Sequence, residues 1–179
     1  MKTVSIMLLA VFTLAADPEF NKDGELVLPK DYREWIFLSS GVGMTYGTGG
    51  GLPFGNVFVE PSAYRKFVDT GKWPDKTIFA LEIRQPATEG SINKGGQYQT
   101  SLMAVEAAVK DTARFPDGWG YFAFNGSAAT AKVLGPAAGC NACHSKNAAV
   151  EHTFVQFYPT LLEIARAKGT LNPSYTDKK

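Results

Sequence analysis

The sequence predicts an α+β fold, a mainly antiparallel sheet carrying a few helices, and three observations lead there. Thr77 to Arg84 alternates, with Thr77, Phe79, Leu81 and Ile83 on one side and Ile78, Ala80, Glu82 and Arg84 on the other. Trp119 to Phe124 is an aromatic run bounded by Gly118 and Gly126, as a strand between turns is. Helix signals stand apart from these strands. Pro61 suits a first helical turn that Gly71 closes, and Pro159 and Gly169 bracket a second helix in the same way.

Taken in order, Met1 to Ala15 reads as a secretory signal. Lys2 supplies the positive end, Val4 to Leu14 the apolar stretch, and Ala15 and Ala16 the small-residue cleavage site. Removing Lys2 brings the formal charge from +1 to about zero. Without a basic patch or acidic tail, the chain offers nothing to nucleic acid or to anionic lipid. Residues 16–179 suit a single domain, and a hydrophobic content of 45% is enough for a packed core.

Within that domain, Trp35 to Leu38 is a buried strand or a short helix end; periodicity does not separate the two. Gly47 to Gly51 is a loop with no phosphate-binding sequence after it. Asn56 to Glu60 is a strand, and the helix from Pro61 puts Tyr64, Phe67 and Val68 on one face. Gly90 to Gly96 is a loop, after which Gln97 to Lys110 is a long strand expected to bend near Met103. The last helix starts near Pro159, with Thr153 to Tyr158 as a less regular lead-in.

Chemistry concentrates in Cys140-Asn141-Ala142-Cys143-His144. Cys-x-x-Cys-His is the pattern through which haem c is attached: two thiols form thioethers with the haem vinyl groups, and the adjacent histidine supplies an axial nitrogen. These are the chain's only two cysteines, and His144 is one of two histidines. A zinc site would have to use Cys140, Cys143, His144 and His152, a poor spacing for tetrahedral closure. A thioredoxin-like pair wants a strand before the motif, and Ala137-Ala138-Gly139 does not read as one. A disulfide across so short a loop would constrain little chain entropy. In bacteria haem c is attached outside the cytoplasm, so motif and signal point to one compartment, the periplasm.

Four stretches together resemble the cytochrome P-460 and cytochrome c′-β group of periplasmic monohaem proteins. They are Leu28 to Trp35, Val105 to Asp111, Cys140 to His144, and Thr153 to Pro159. The resemblance implies a mainly antiparallel fold, a homodimer, one covalently attached haem c, proximal ligation by His144 and an open distal side. Hydroxylamine-oxidising members of that group carry a strand lysine cross-linked to the porphyrin. Laying Asp75 to Glu82 on that segment puts Leu81 at the lysine position, and the alternation independently sets Leu81 on the apolar side. Lys76 lies on the opposite side of the strand and Lys94 in a loop.

A sixth iron ligand would come from methionine or histidine. His152 follows His144 too closely to reach around a porphyrin, while Met44 and Met103 read as loop and strand residues. With Phe79 and Leu81 as haem-contacting residues, the distal pocket offers few hydrogen-bond donors. That suits NO or CO better than O₂, whose bound form carries partial negative charge. Glu82, Glu106 and Asp111 are the carboxylates worth following, but none receives a catalytic role, and the catalytic residues stay unknown. The leading expectation is a c-type cytochrome that binds a small gaseous or nitrogen-oxide ligand. The alternatives are an enzyme oxidising hydroxylamine or NO, and an electron carrier with a periplasmic partner.

Overall fold

The computed structural model describes residues 17–44, 52–126 and 128–176; the expected signal over Met1 to Ala15 and the loop over Gly47 to Gly51 lie outside them. In chain order the strands are β1 (Leu26–Val27), β2 (Ile36–Val42), β3 (Phe54–Val59), β4 (Ile78–Ala87), β5 (Tyr98–Lys110), β6 (Trp119–Asn125) and β7 (Thr130–Ala131). The strands β2 to β6 lie side by side in sequence order, each neighbour antiparallel, and β1 pairs with β7 beside them. The helices are α1 (Pro61–Thr70), α2 (Cys140–Asn147) and α3 (Pro159–Lys168). The chain thus adopts the α+β class with a mainly antiparallel sheet.

Local chemistry accounts for most boundaries. The ambiguity at Trp35 resolves as both forms in succession: a 3₁₀ turn over Tyr32–Glu34, then a strand from Ile36. Helix α1 has Pro61 in its first turn, and the Glu60 carboxylate accepts from the Ser62 and Ala63 N–H groups at 2.8 and 3.0 Å. Gly71 ends it at φ 72°, a left-handed conformation that a side chain would disfavour. The bend expected near Met103 is a β-bulge. Ile83 pairs with Ala104 and Arg84 with Leu102, so Met103 has no residue opposite it. Helix α3 runs from Pro159 to its glycine stop, preceded by a 3₁₀ turn over Val155–Phe157.

The alternation along β4 is real, yet both faces of the sheet are covered. On one side Val59, Phe67, Trp73, Phe79, Trp119 and Leu161 form a core with α1 and α3. On the other, Tyr32, Trp35, Ile78, Ala107, Phe122 and Phe124 form a second core. The α1 and α3 side is the one that opens into a cavity.

Candidate haem-binding site

Helix α2 explains the spacing of the cysteine motif. Gly139 (φ 72°) turns the chain from a 3₁₀ turn over Pro136–Ala138 into α2, so no strand precedes the motif. Within α2, Cys140, Cys143 and His144 stand at i, i+3 and i+4, which brings all three to one face of the helix. Both thiols are free.

The imidazole of His144 is held from three directions. Its ring lies between Tyr121 and Phe154, with centroids 4.5 and 4.4 Å away. Its Nδ1 is 2.8 Å from the carbonyl oxygen of His152. A carbonyl only accepts, so Nδ1 carries the proton and Nε2 keeps the free lone pair that a metal needs. Burial lowers the His144 pKa and favours that neutral form. The His152 ring is engaged elsewhere: it stacks on Trp119 with centroids 6.3 Å apart, and its Nδ1 is 3.5 Å from the Tyr121 hydroxyl. Among the described residues no three His, Cys, Asp or Glu side chains converge to hold a bare metal ion.

This helix face opens onto a cavity of about 710 Å³, within the range of cofactor sites. The sheet supplies its other wall through registered rows of side chains. One row is Phe79, Ala108 and Tyr121; the next is Val57, Leu81 and Glu106; a third is Gly41, Gly55 and Ile83. The two glycines remove bulk from this part of the cavity wall. A Cβ on Gly55 would come within 3.2 Å of the Leu81 Cδ1 methyl, and the Met44 thioether rests directly over Gly41.

Of the residues singled out from the sequence, Cys140, Cys143, His144, Leu81 and Phe79 all line this cavity. Phe79 is mostly core, its ring against Trp73, Trp119 and Tyr158, and only its edge reaches the space. Met44 also lines it; Met103 is exposed at the bulge, away from it. Lys76 pairs with Asp111 at 2.6 Å, and Lys94 belongs to the loop between β4 and β5. Glu82 faces the opposite core.

Glu106, one of the carboxylates worth following, is exposed on the cavity side of β5. It is the cross-strand partner of Leu81 and points into the cavity, with no hydrogen bond or ion pair among the described residues. Burial raises its pKa, which makes the protonated form easier to reach. A charge amid Ala104, Ala107 and Ala108 is the sequence signal for this position, but alternation does not tell a face on a cavity from a face on water. Gly41 and Gly55 were also missed; glycine inside a strand is the sign of a close approach. Tyr121 and Phe154 gave no signal, since their contact with His144 spans separate parts of the chain.

Two thiols and a neutral imidazole on one helix face, beside a largely apolar cavity, are a donor set that fits a haem. A sequence model of the family described as Cytochrome P460 matches residues 29–155, well over half the chain. No curated protein matches it. The chain belongs to the cytochrome P460 family and is a haem cytochrome.

Proposed function

We propose that this is a periplasmic c-type cytochrome with one haem attached through Cys140 and Cys143, ligated by His144, and binding a small nitrogen oxide such as NO. The observation that supports this most is Leu81. It faces the cavity from the position where the resemblance puts the cross-linking lysine of hydroxylamine-oxidising members, and it has no ammonium to offer a porphyrin. When bound, a haem would supply an iron able to take up a small ligand. The chain's own residues do the rest. Cys140 and Cys143 would hold the porphyrin through thioethers, and the His152 carbonyl keeps Nε2 of His144 free to ligate. Phe79, Leu81 and Ile83 exclude water and present no donor, so a weakly polarised diatomic ligand loses least there.

A second reading, oxidation of hydroxylamine, has Glu106 in its favour. A carboxyl group beside Leu81 with a raised pKa can accept a proton from an N–H or O–H group held in the same space. Met44, whose thioether lines the cavity, is the group that would turn the protein into a six-coordinate electron carrier.

A ferrous absorption spectrum, recorded before and after adding NO and CO, separates these readings. The expected result is a high-spin spectrum that shifts with both gases. A strongly red-shifted Soret band would indicate a modified porphyrin and favour the oxidase. A low-spin spectrum indifferent to CO would leave the electron carrier.

A further inference from the structure

The carbonyl that holds His144 belongs to a tight turn, Val150-Glu151-His152-Thr153. Its ends exchange hydrogen bonds, Thr153 N–H to the Val150 carbonyl at 2.8 Å and Val150 N–H to the Thr153 carbonyl at 3.3 Å. The peptide unit between His152 and Thr153 is therefore pinned at its N–H end by Val150. Its oxygen end faces the His144 Nδ1 proton. The turn is not at ease. Glu151 takes φ 49°, the left-handed region that a residue with a Cβ disfavours.

One side chain holds that conformation. Asn172 accepts from the Glu151 N–H through Oδ1 at 3.1 Å and donates from Nδ2 to the Glu151 carbonyl at 2.9 Å, so a single amide satisfies both backbone groups of the strained residue. The same Nδ2 donates to the Ala148 carbonyl at 2.8 Å, and the Asn172 N–H donates to the Ala149 carbonyl at 2.7 Å. Lys110 closes the other side. Its Nζ is 2.7 Å from Glu151 Oε2 and 2.7 Å from the Trp73 carbonyl. Asn172 neither lines the cavity nor touches His144, and it lies beyond residues 29–155 where the family matches.

We propose that Asn172 is a positioning residue for the axial imidazole, acting through the Glu151 turn and the His152 carbonyl. This rests on the reading of His144 as the haem ligand. A firmly held acceptor strengthens the hydrogen bond from Nδ1 and makes Nε2 a better donor, which favours the ferric state. Loosening the turn weakens that bond and moves the haem's reduction potential upward.

The test uses the holoprotein and its Asn172→Ala variant, read by redox titration and by the iron–histidine stretching band of the ferrous protein. The variant is expected to keep its thioether-bound haem, to lower the stretching frequency, and to shift the ferric–ferrous ratio about tenfold, the low end of outer-shell effects. That ratio is about 59 mV for a one-electron couple. Glu151→Gly placed in the same background should bring both readouts part of the way back toward the parent, because glycine adopts the turn's φ without help but gives up the Lys110 pair. Should Asn172→Ala not accumulate as folded protein, Asn172→Ser, which keeps one hydrogen-bonding atom, is expected to give a smaller shift of the same sign. Parental values of both readouts in a haem-loaded Asn172 variant would overturn the proposal. The reading beneath it fails separately, if His144→Ala leaves the parent's iron–histidine band in place.

Discussion

Glu82 and Glu106 stand on neighbouring strands of one sheet, next to each other in register, and face opposite ways. Glu82 is almost wholly buried and saturated. It accepts from the Tyr32 hydroxyl at 2.6 Å and from Arg33 Nε at 2.7 Å, and it pairs with Arg84. Burial opposes its ionisation, but the hydrogen bonds from Arg84, Tyr32 and Arg33 outweigh burial and bring its pKa down to about 2. Glu106 is exposed toward the cavity, but what desolvation it meets has no neighbouring cation to offset it among the described residues, and its pKa rises. The same side chain on the same sheet is a structural anion on one face and a protonatable group on the other. What separates them is whether the chain supplies partners.

The largest effect is expected on the saturated side. Glu82→Ala leaves two guanidinium groups and a buried phenol without their acceptor, and it should cost about 3 kcal/mol in urea unfolding. An unchanged unfolding midpoint would erase the contrast between the faces. Acid sharpens it. The folded-state pKa of Glu82 lies below the ordinary 4.5, so its contribution is complete above pH 4.5 and disappears as pH falls toward 2. Unfolding followed down that range should show a loss of on the order of 3 kcal/mol, as the carboxylate is protonated between pH 4.5 and about 2.

Glu106 has the reverse sign. Its folded pKa is raised, so stability is favoured below the ordinary value and declines as pH rises through the folded one. Glu106→Gln should therefore leave the holoprotein's stability near parental at pH 4 and raise it at pH 7. The gain should stay under about 1 kcal/mol, since the group is open to the cavity. A loss at pH 7 would show that Glu106 has a partner after all. The smallest change is Gly55→Ala, whose new methyl presses on Leu81 at 3.2 Å. Stability should move by less than about 1 kcal/mol, while CO association measured by flash photolysis changes because Leu81 must yield.

Much of the fold was legible because its signals are local. The Pro61 start, the stops at Gly71 and Gly169, and the alternation from Thr77 to Arg84 each depend on a few neighbouring residues. Even the bend near Met103 was visible as a lapse in alternation. The site was legible only in part. Cys140, Cys143 and His144 announce themselves through covalent chemistry at fixed spacing, and period-2 geometry put Leu81 and Phe79 on one face. Glu106 stayed hidden, since the same alternation turns it outward whether that face meets water or a cavity.

By itself, the sequence determined the haem motif, the strand faces and the limits of α1 and α3, all of them consequences of bonding and backbone geometry within a few residues. Only the tertiary structure decided that Glu106 stands beside Leu81, that Gly41 and Gly55 thin the same wall, and that Asn172 clamps the turn behind His144. Those relations depend on strand register and on contacts between distant segments. Such contacts exist only once both faces of the sheet have been packed.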